Sequence, residues 1–125
     1  MIVSGRFQGG TNENLHIYDA FFTSDTRLVT VNVGMDAGID AGIQHWDVES
    51  GTLLHVDARK WDRWVTVTAH TPDGRLLAHS STNLLVVERL NDQGFFEPAH
   101  QFQLLHRVSS SIALSQDGRT AAVLS

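Results

Sequence analysis

The chain has 125 residues, a formal net charge of −5 and no cysteine. Hydrophobic residues make up 42% of it and charged residues 18%, a balance typical of a globular protein rather than a disordered one. The acidic charge and the lack of a basic tract argue against nucleic acid as a partner, because phosphates are bound by clustered Lys and Arg. Without cysteine, neither a disulfide nor a thiolate metal site can form.

Residues 1–6 lack the basic start and the apolar core of a secretory signal. No apolar run approaches the ~18 residues that a membrane helix needs. Nothing in the sequence requires an oxidising compartment. We therefore expect a soluble, cytoplasmic protein that does not use a membrane as a partner.

In chain order, residues 2–8 are predicted to form the last strand of a preceding unit, and residues 15–56 a unit of four strands. The strand ranges expected within that unit are 15–22, 28–33, 43–48 and 52–56. The last two form the clearest hairpin, since β-branched and aromatic residues flank Glu49-Ser50-Gly51, whose glycine can take positive φ. A glycine-rich insertion at residues 34–42 is longer than the loop there requires.

A second four-stranded unit is predicted for residues 64–106. Its expected strands are 64–70, 75–80, 84–87 and 101–106. The first of them alternates apolar and polar residues, and the third is an unbroken apolar run suited to burial on both faces. Asp73-Gly74 predicts a two-residue hairpin turn. Residues 110–124 supply the first two strands of a further unit, and no segment has the 3.6-residue period of a helix.

The sequence also repeats itself. Asp25, Asp73 and Asp117 mark three similar segments, and the turn glycines Gly51 and Gly94 mark two similar hairpins. Both sets of markers recur at intervals of about 40–50 residues, which is typical of repeat architectures. We therefore expect each unit to be an approximate copy of its neighbour.

With Trp46-Asp47 at its centre, the stretch 43–55 resembles the third and fourth strands of a WD40 repeat, and residues 64–78 resemble the first two strands. Glu88-Arg89 takes the place of the dipeptide in the second unit. The resemblance implies an all-β fold of antiparallel four-stranded blades of a WD40-like β-propeller. Pro72-Asp73-Gly74-Arg75 is also similar to the TolB-like propellers, which leaves the subfamily open. Because a closed ring has roughly 4–8 blades, we expect an incomplete ring that further copies or a longer chain complete.

The resemblance also implies a structural role for a set of polar residues. In WD40 repeats a His, a Ser or Thr, an Asp and the Trp form a buried hydrogen-bond network, which fixes one packing arrangement when it is fully paired. The candidates in this sequence are His16, Thr30, Asp36 or Asp40, and Trp46.

One segment is predicted to bind a protein partner. It combines tryptophan with arginine, the residue types that dominate interface hot spots, and it joins the outer strand of one unit to the first strand of the next. The segment consists of Arg59, Lys60, Trp61, Asp62 and Arg63. The resemblance implies a non-catalytic protein interaction scaffold. The alternative is part of an enzymatic or ligand-binding propeller, whose site lies at a central channel completed by other blades.

The seven histidines raise the question of a metal site. His45 and His55 lie at nearly equal distances from one turn, and His70 and His79 lie around another, so each pair could be neighbours across two strands. Two ligands are too few for a closed zinc site. The aspartates of the glycine-rich insertion lack the spacing of a calcium loop, and no Ser/His/Asp spacing is diagnostic of a triad. The sequence thus predicts no catalytic residue, no metal and no cofactor.

Overall fold

The computed structural model describes residues 15–34, 42–58, 65–81, 83–106 and 111–124. Within these ranges the chain forms ten β-strands joined by turns, and no helix. The predicted all-β class is therefore confirmed. No helix that is long and apolar enough to span a bilayer is found among these residues.

The chain divides into two compact units, residues 1–60 and 61–125. In the first unit, four strands pair antiparallel in the order of the sequence. They are β1 (Leu15–Ser24), β2 (Arg27–Gly34), β3 (Gly42–Asp47) and β4 (Thr52–Ala58). All four occur where the sequence predicts them, within two residues at each end. The predicted strand at residues 2–8 lies outside the described residues.

Apolar residues of the inner strands form the core of the first unit. Val29 on β2 pairs with Phe21 on β1, and Val31 on β2 pairs with Ile43 on β3. All four side chains are buried, and each such side chain contributes about 1.5–3 kcal/mol when it is fully removed from water. Because Val29 and Val31 are two residues apart on β2, their side chains lie on the same face of the sheet, and the apolar cluster forms on that face.

The second unit contains a four-stranded antiparallel sheet and a separate hairpin. The sheet consists of β5 (Val65–His70), β6 (Leu76–Ser81), β7 (Leu84–Leu90) and β8 (Phe96–Gln103), and the hairpin of β9 (Ser111–Leu114) and β10 (Ala121–Leu124). The predicted outer strand at 101–106 is wrong, because β8 begins five residues earlier. The Asn91 side chain accepts hydrogen bonds from the Gln93 and Phe95 amides, at 2.9 Å and 3.0 Å, so the turn closes at once and the strand resumes at Phe96.

The core of the second unit lies between the sheet and the hairpin. Leu76 and Ala78 of β6 and Leu85 and Val87 of β7 form one buried cluster with Ile112 of β9. Ala78 pairs with Val87, so these side chains share one face of the sheet. The hairpin is thus held to the sheet by burial of apolar surface, which is the main favourable contribution to folding.

The turn between β5 and β6 is longer than the predicted two residues. The Thr71 amide donates to the Leu76 carbonyl at 3.0 Å, which leaves four residues in the loop, and Gly74 takes φ 71°. The Thr71 hydroxyl donates to Asp73 Oδ1 at 2.6 Å and accepts from the Leu76 amide at 3.1 Å. Because this buried hydroxyl satisfies the Leu76 amide, the backbone can open into a wider loop than Asp-Gly alone specifies.

The turn between β9 and β10 has the same design. Ser115 takes the role of Thr71: its hydroxyl donates to Asp117 Oδ1 at 2.8 Å and accepts from the Thr120 amide at 3.0 Å. Gly118 also takes φ 71°. The turn between β1 and β2 differs, because Ser24 pairs with Arg27 and only two residues connect the strands. Of the three similar segments seen in the sequence, two therefore form turns with the same hydrogen bonds.

Candidate functional site

Much of the predicted site falls outside the described residues. This applies to the whole predicted partner-binding segment, to the two aspartates of the glycine-rich insertion and to one side chain of β1. They are Arg59, Lys60, Trp61, Asp62 and Arg63, then Asp36 and Asp40, and the side chain of His16. Their roles stay predictions. The structure describes the side chains of Thr30 and Trp46.

Trp46 and Thr30 meet in a buried polar cluster on one face of the first sheet. Trp46 Nε1 donates to Thr30 Oγ1 at 3.0 Å, and both residues are 3% exposed. Gln44 Oε1 in turn accepts from Asn32 Nδ2 at 2.9 Å and from the Thr30 hydroxyl at 3.5 Å. Sequence reasoning missed Gln44 and Asn32. The signal for Asn32 was its place two positions from Thr30 on a mostly apolar strand.

The second unit carries a different polar pair in the corresponding place. His79 Nε2 lies 2.7 Å from Glu88 Oε2, and Glu88 is 1% exposed. Glu88 is paired with Leu77 of β6 and contacts the residue two positions further along that strand. In the first sheet, Trp46 likewise contacts Thr30, which lies two positions beyond its own pairing partner on β2. The two contacting residues are 9 apart in the second unit and 16 apart in the first. The larger separation in the first unit is due to its glycine-rich insertion. Glu88 therefore has the same place in the second sheet as Trp46 has in the first.

On the opposite face of the first sheet, His45 of β3 pairs directly with His55 of β4. Their rings stack with centroids 4.0 Å apart and planes 24° apart. This confirms that they are cross-strand neighbours. The same expectation is wrong for the other two histidines, since His70 pairs with Leu77 and His79 with Thr68. The register there offsets the two histidines by two positions.

Asp57 completes a group of three potential ligands around the stacked histidines. His45 Nε2 lies 3.1 Å from Asp57 Oδ2, and one ligand atom from each of His45, His55 and Asp57 lies within 4.8 Å of the others. His45 and Asp57 are buried, and His55 is half-buried. Asp57 carried no motif in the sequence. It reaches the histidines because residues 55 and 57 share a face of β4, and only the register shows that His45 lies opposite.

Three aspartates, of which Asp73 and Asp117 are exposed and Asp47 is half-buried, serve the turns of the sheets. The pKa of each of them lies below its ordinary value, because each carboxylate accepts hydrogen bonds from its own turn. The main donors are the Ser50 hydroxyl for Asp47, the Thr71 hydroxyl for Asp73, and the Arg119 amide for Asp117. A carboxylate held ionised by local donors acts as a turn cap rather than as a proton acceptor.

The fourth strand of each sheet carries many exposed side chains. All residues of β8 after Phe96 are exposed, and Phe102 is 40% exposed. On β4, Leu54 and Val56 are also exposed. Pro98 lies within β8, and a proline on an edge strand hinders the addition of another strand because it has no amide hydrogen. The edge of the second sheet is therefore a poor backbone template for a further strand.

Comparison with known proteins gives no assignment. Neither a protein-family model nor a curated protein matches the chain at a significant level.

Proposed function

We propose that the chain is a segment of a WD40-like β-propeller that acts as a non-catalytic scaffold for protein–protein interaction. The observation that carries the proposal is the repeated four-stranded antiparallel sheet with strands in sequence order. Two further repeats support it. The Thr71 turn recurs at Ser115, and the buried contact between second and third strands occurs in both sheets.

The proposed contacts are the predicted segment 59–63 and the outer strand of each sheet, each considered by itself. On β4 the two apolar side chains of Leu54 and Val56 are exposed, and on β8 the aromatic ring of Phe102 is exposed. Neighbouring exposed apolar residues, such as the pair on β4, are typical of contact surfaces. Because Pro98 disfavours strand addition at β8, a partner of this strand contacts its side chains. Aromatic anchors such as Trp61 and Phe102 contribute most to interfaces of this kind.

Affinity capture with the full chain, followed by reconstitution with the purified candidate partner, tests the proposal. Titration calorimetry then measures the dissociation constant for the wild type and for Trp61→Ala and Phe102→Ser. We expect each substitution to weaken binding by about tenfold or more, which corresponds to ~1.4 kcal/mol or more of lost hot-spot energy. Far-ultraviolet circular dichroism should be unchanged.

Phe22→Ser is the matched control, because Phe22 is an exposed phenylalanine on β1, outside the proposed surface. The scaffold proposal predicts that this variant binds like the wild type. A partner that binds all three variants equally would show that neither the segment nor β8 is the contact surface. Turnover of a small molecule by the chain would favour the enzymatic alternative.

A further inference from the structure

We propose that His45, His55 and Asp57 form a three-ligand site for a divalent first-row transition-metal ion, with Zn²⁺ as the preferred occupant. Two imidazole nitrogens and one carboxylate oxygen are the donor set of several catalytic zinc sites, in which a fourth position stays open to water or substrate. The inference is independent of the scaffold function, since it uses a different face of the first sheet.

The backbone places the three residues by two simple rules. His55 and Asp57 are two positions apart on β4, so both side chains leave the same face of the strand. His45 is the direct partner of His55 on β3, in an antiparallel pair. Directly opposed residues have Cβ atoms about 4.5–5.5 Å apart, which is a distance that two metal-bound imidazoles can bridge.

The distances between the three ligand atoms are close to those of a metal centre. With Zn–N and Zn–O bonds of about 2.0–2.2 Å, neighbouring ligand atoms of a tetrahedral ion lie about 3.3–3.5 Å apart. His45 Nε2 and Asp57 Oδ2 are already 3.1 Å apart. All three ligand atoms lie within 4.8 Å of one another, so His55 has to approach by at most about 1.5 Å, which rotation of its side chain supplies.

Burial and access also suit a bound ion. His45 and Asp57 are 1% and 6% exposed, and a buried carboxylate beside an imidazole is stabilised by a cation. His55 is half-buried, which gives the ion a route from solvent. Nitrogen and oxygen donors without sulfur favour Zn²⁺, Fe²⁺, Ni²⁺ or Cu²⁺ over soft ions such as Cu⁺.

The second unit provides an internal comparison. His79 and Glu88 form an equally buried pair with a shorter separation of 2.7 Å, yet among the described residues only His45, His55 and Asp57 form a group of three potential ligands. A histidine–carboxylate pair is sufficient for a structural contact. The third donor on the first sheet is what distinguishes a metal site from such a contact.

The test uses the untagged full chain, stripped with a chelator and titrated with Zn²⁺ by calorimetry, and then with Co²⁺ for its visible absorption. We expect one ion per chain and a Co²⁺ spectrum of low coordination number. His55→Gln removes one ligand and keeps the contact between His45 and Asp57, and should weaken Zn²⁺ binding by at least about tenfold. His100→Gln removes an exposed imidazole on β8 and should leave the affinity unchanged.

Imidazole NMR of the wild-type chain provides a readout that needs no variant. Zn²⁺ should shift the ring signals of His45 and His55 and leave those of His100 in place. The proposal is overturned if the wild type takes up no stoichiometric ion, if His55→Gln binds as tightly as the wild type, or if the shifted signals belong to other histidines.

Discussion

Thr71, the residue that follows β5, should be sensitive to substitution. Its side chain is fully buried, and its hydroxyl accepts from the Leu76 amide and donates to Asp73. Thr71→Val keeps the shape of the side chain and removes both hydrogen bonds. The exposed Asp73 carboxylate can bond to water instead, so the loss of its hydrogen bond to Thr71 costs little. The buried Leu76 amide, in contrast, is left without an acceptor. An unsatisfied buried donor costs about 1–3 kcal/mol, and we expect a destabilisation of that size, centred on ~2 kcal/mol.

Urea unfolding followed by circular dichroism measures this change as a lower midpoint with an unaltered slope. Hydrogen exchange gives a local readout, because the Leu76 amide should exchange faster in Thr71→Val than in the wild type. Thr71→Ser is the matched control: it retains the hydroxyl and loses only a methyl group, at a cost of about 1 kcal/mol. The reasoning is refuted if Thr71→Val is as stable as the wild type, or if Thr71→Ser is destabilised to the same extent.

Three further outcomes can be measured. Trp46→Phe removes the donor to the buried Thr30 hydroxyl and should lower the free energy of unfolding by about 1–3 kcal/mol; an unchanged urea midpoint would contradict a stabilising contact. Gly118→Ala should destabilise the chain more than Gly51→Ala. Both glycines have positive φ, which alone costs an alanine about 1–2 kcal/mol, but only at Gly118 would a Cβ lie 2.7 Å from Leu76. Equal thermal midpoints for the two variants would argue against the steric contribution. Finally, the pKa of each turn aspartate is lower in the folded chain than the ~3.9 of an unfolded aspartate, so the unfolded state binds more protons in acid. This contribution to stability is complete above the unfolded pKa and is lost as the pH falls through the folded pKa. Thermal melts between about pH 6 and pH 3 should show the loss of stability. In Asp73→Asn the loss of stability over this pH range should be smaller.

The strands could be predicted because their signals are local. Alternation of apolar and polar residues and glycine-containing turns determined all four strands of the first sheet and the final hairpin. The outer strand β8 was misplaced because its sequence, from Phe96 to Gln103, is mostly polar and contains Pro98. What starts that strand is the Asn91 side chain, which closes the preceding turn. A side-chain hydrogen bond of this kind carries no periodic pattern.

The candidate metal site could be predicted only in part. The equal distances of His45 and His55 from one turn indicated their pairing, but nothing singled out Asp57. A bulge lies between the His45 pair and the next pair of β3 and β4, so counting from the turn does not give the register with certainty. The contact between Glu88 and His79 was equally hidden. Their sequence separation differs from that of Trp46 and Thr30 because one loop is longer.

Every strand pair in the described sheets joins strands that are adjacent in the sequence. Each of these strand pairs can therefore form without waiting for distant segments, and local pairing of this kind correlates with rapid folding. Loop closure also depends weakly on length, since doubling a loop costs only about 0.6 kcal/mol. Lengthening the glycine-rich insertion between β2 and β3 should therefore change the free energy of folding only slightly. Foreign peptides inserted there should leave the strand pairing intact.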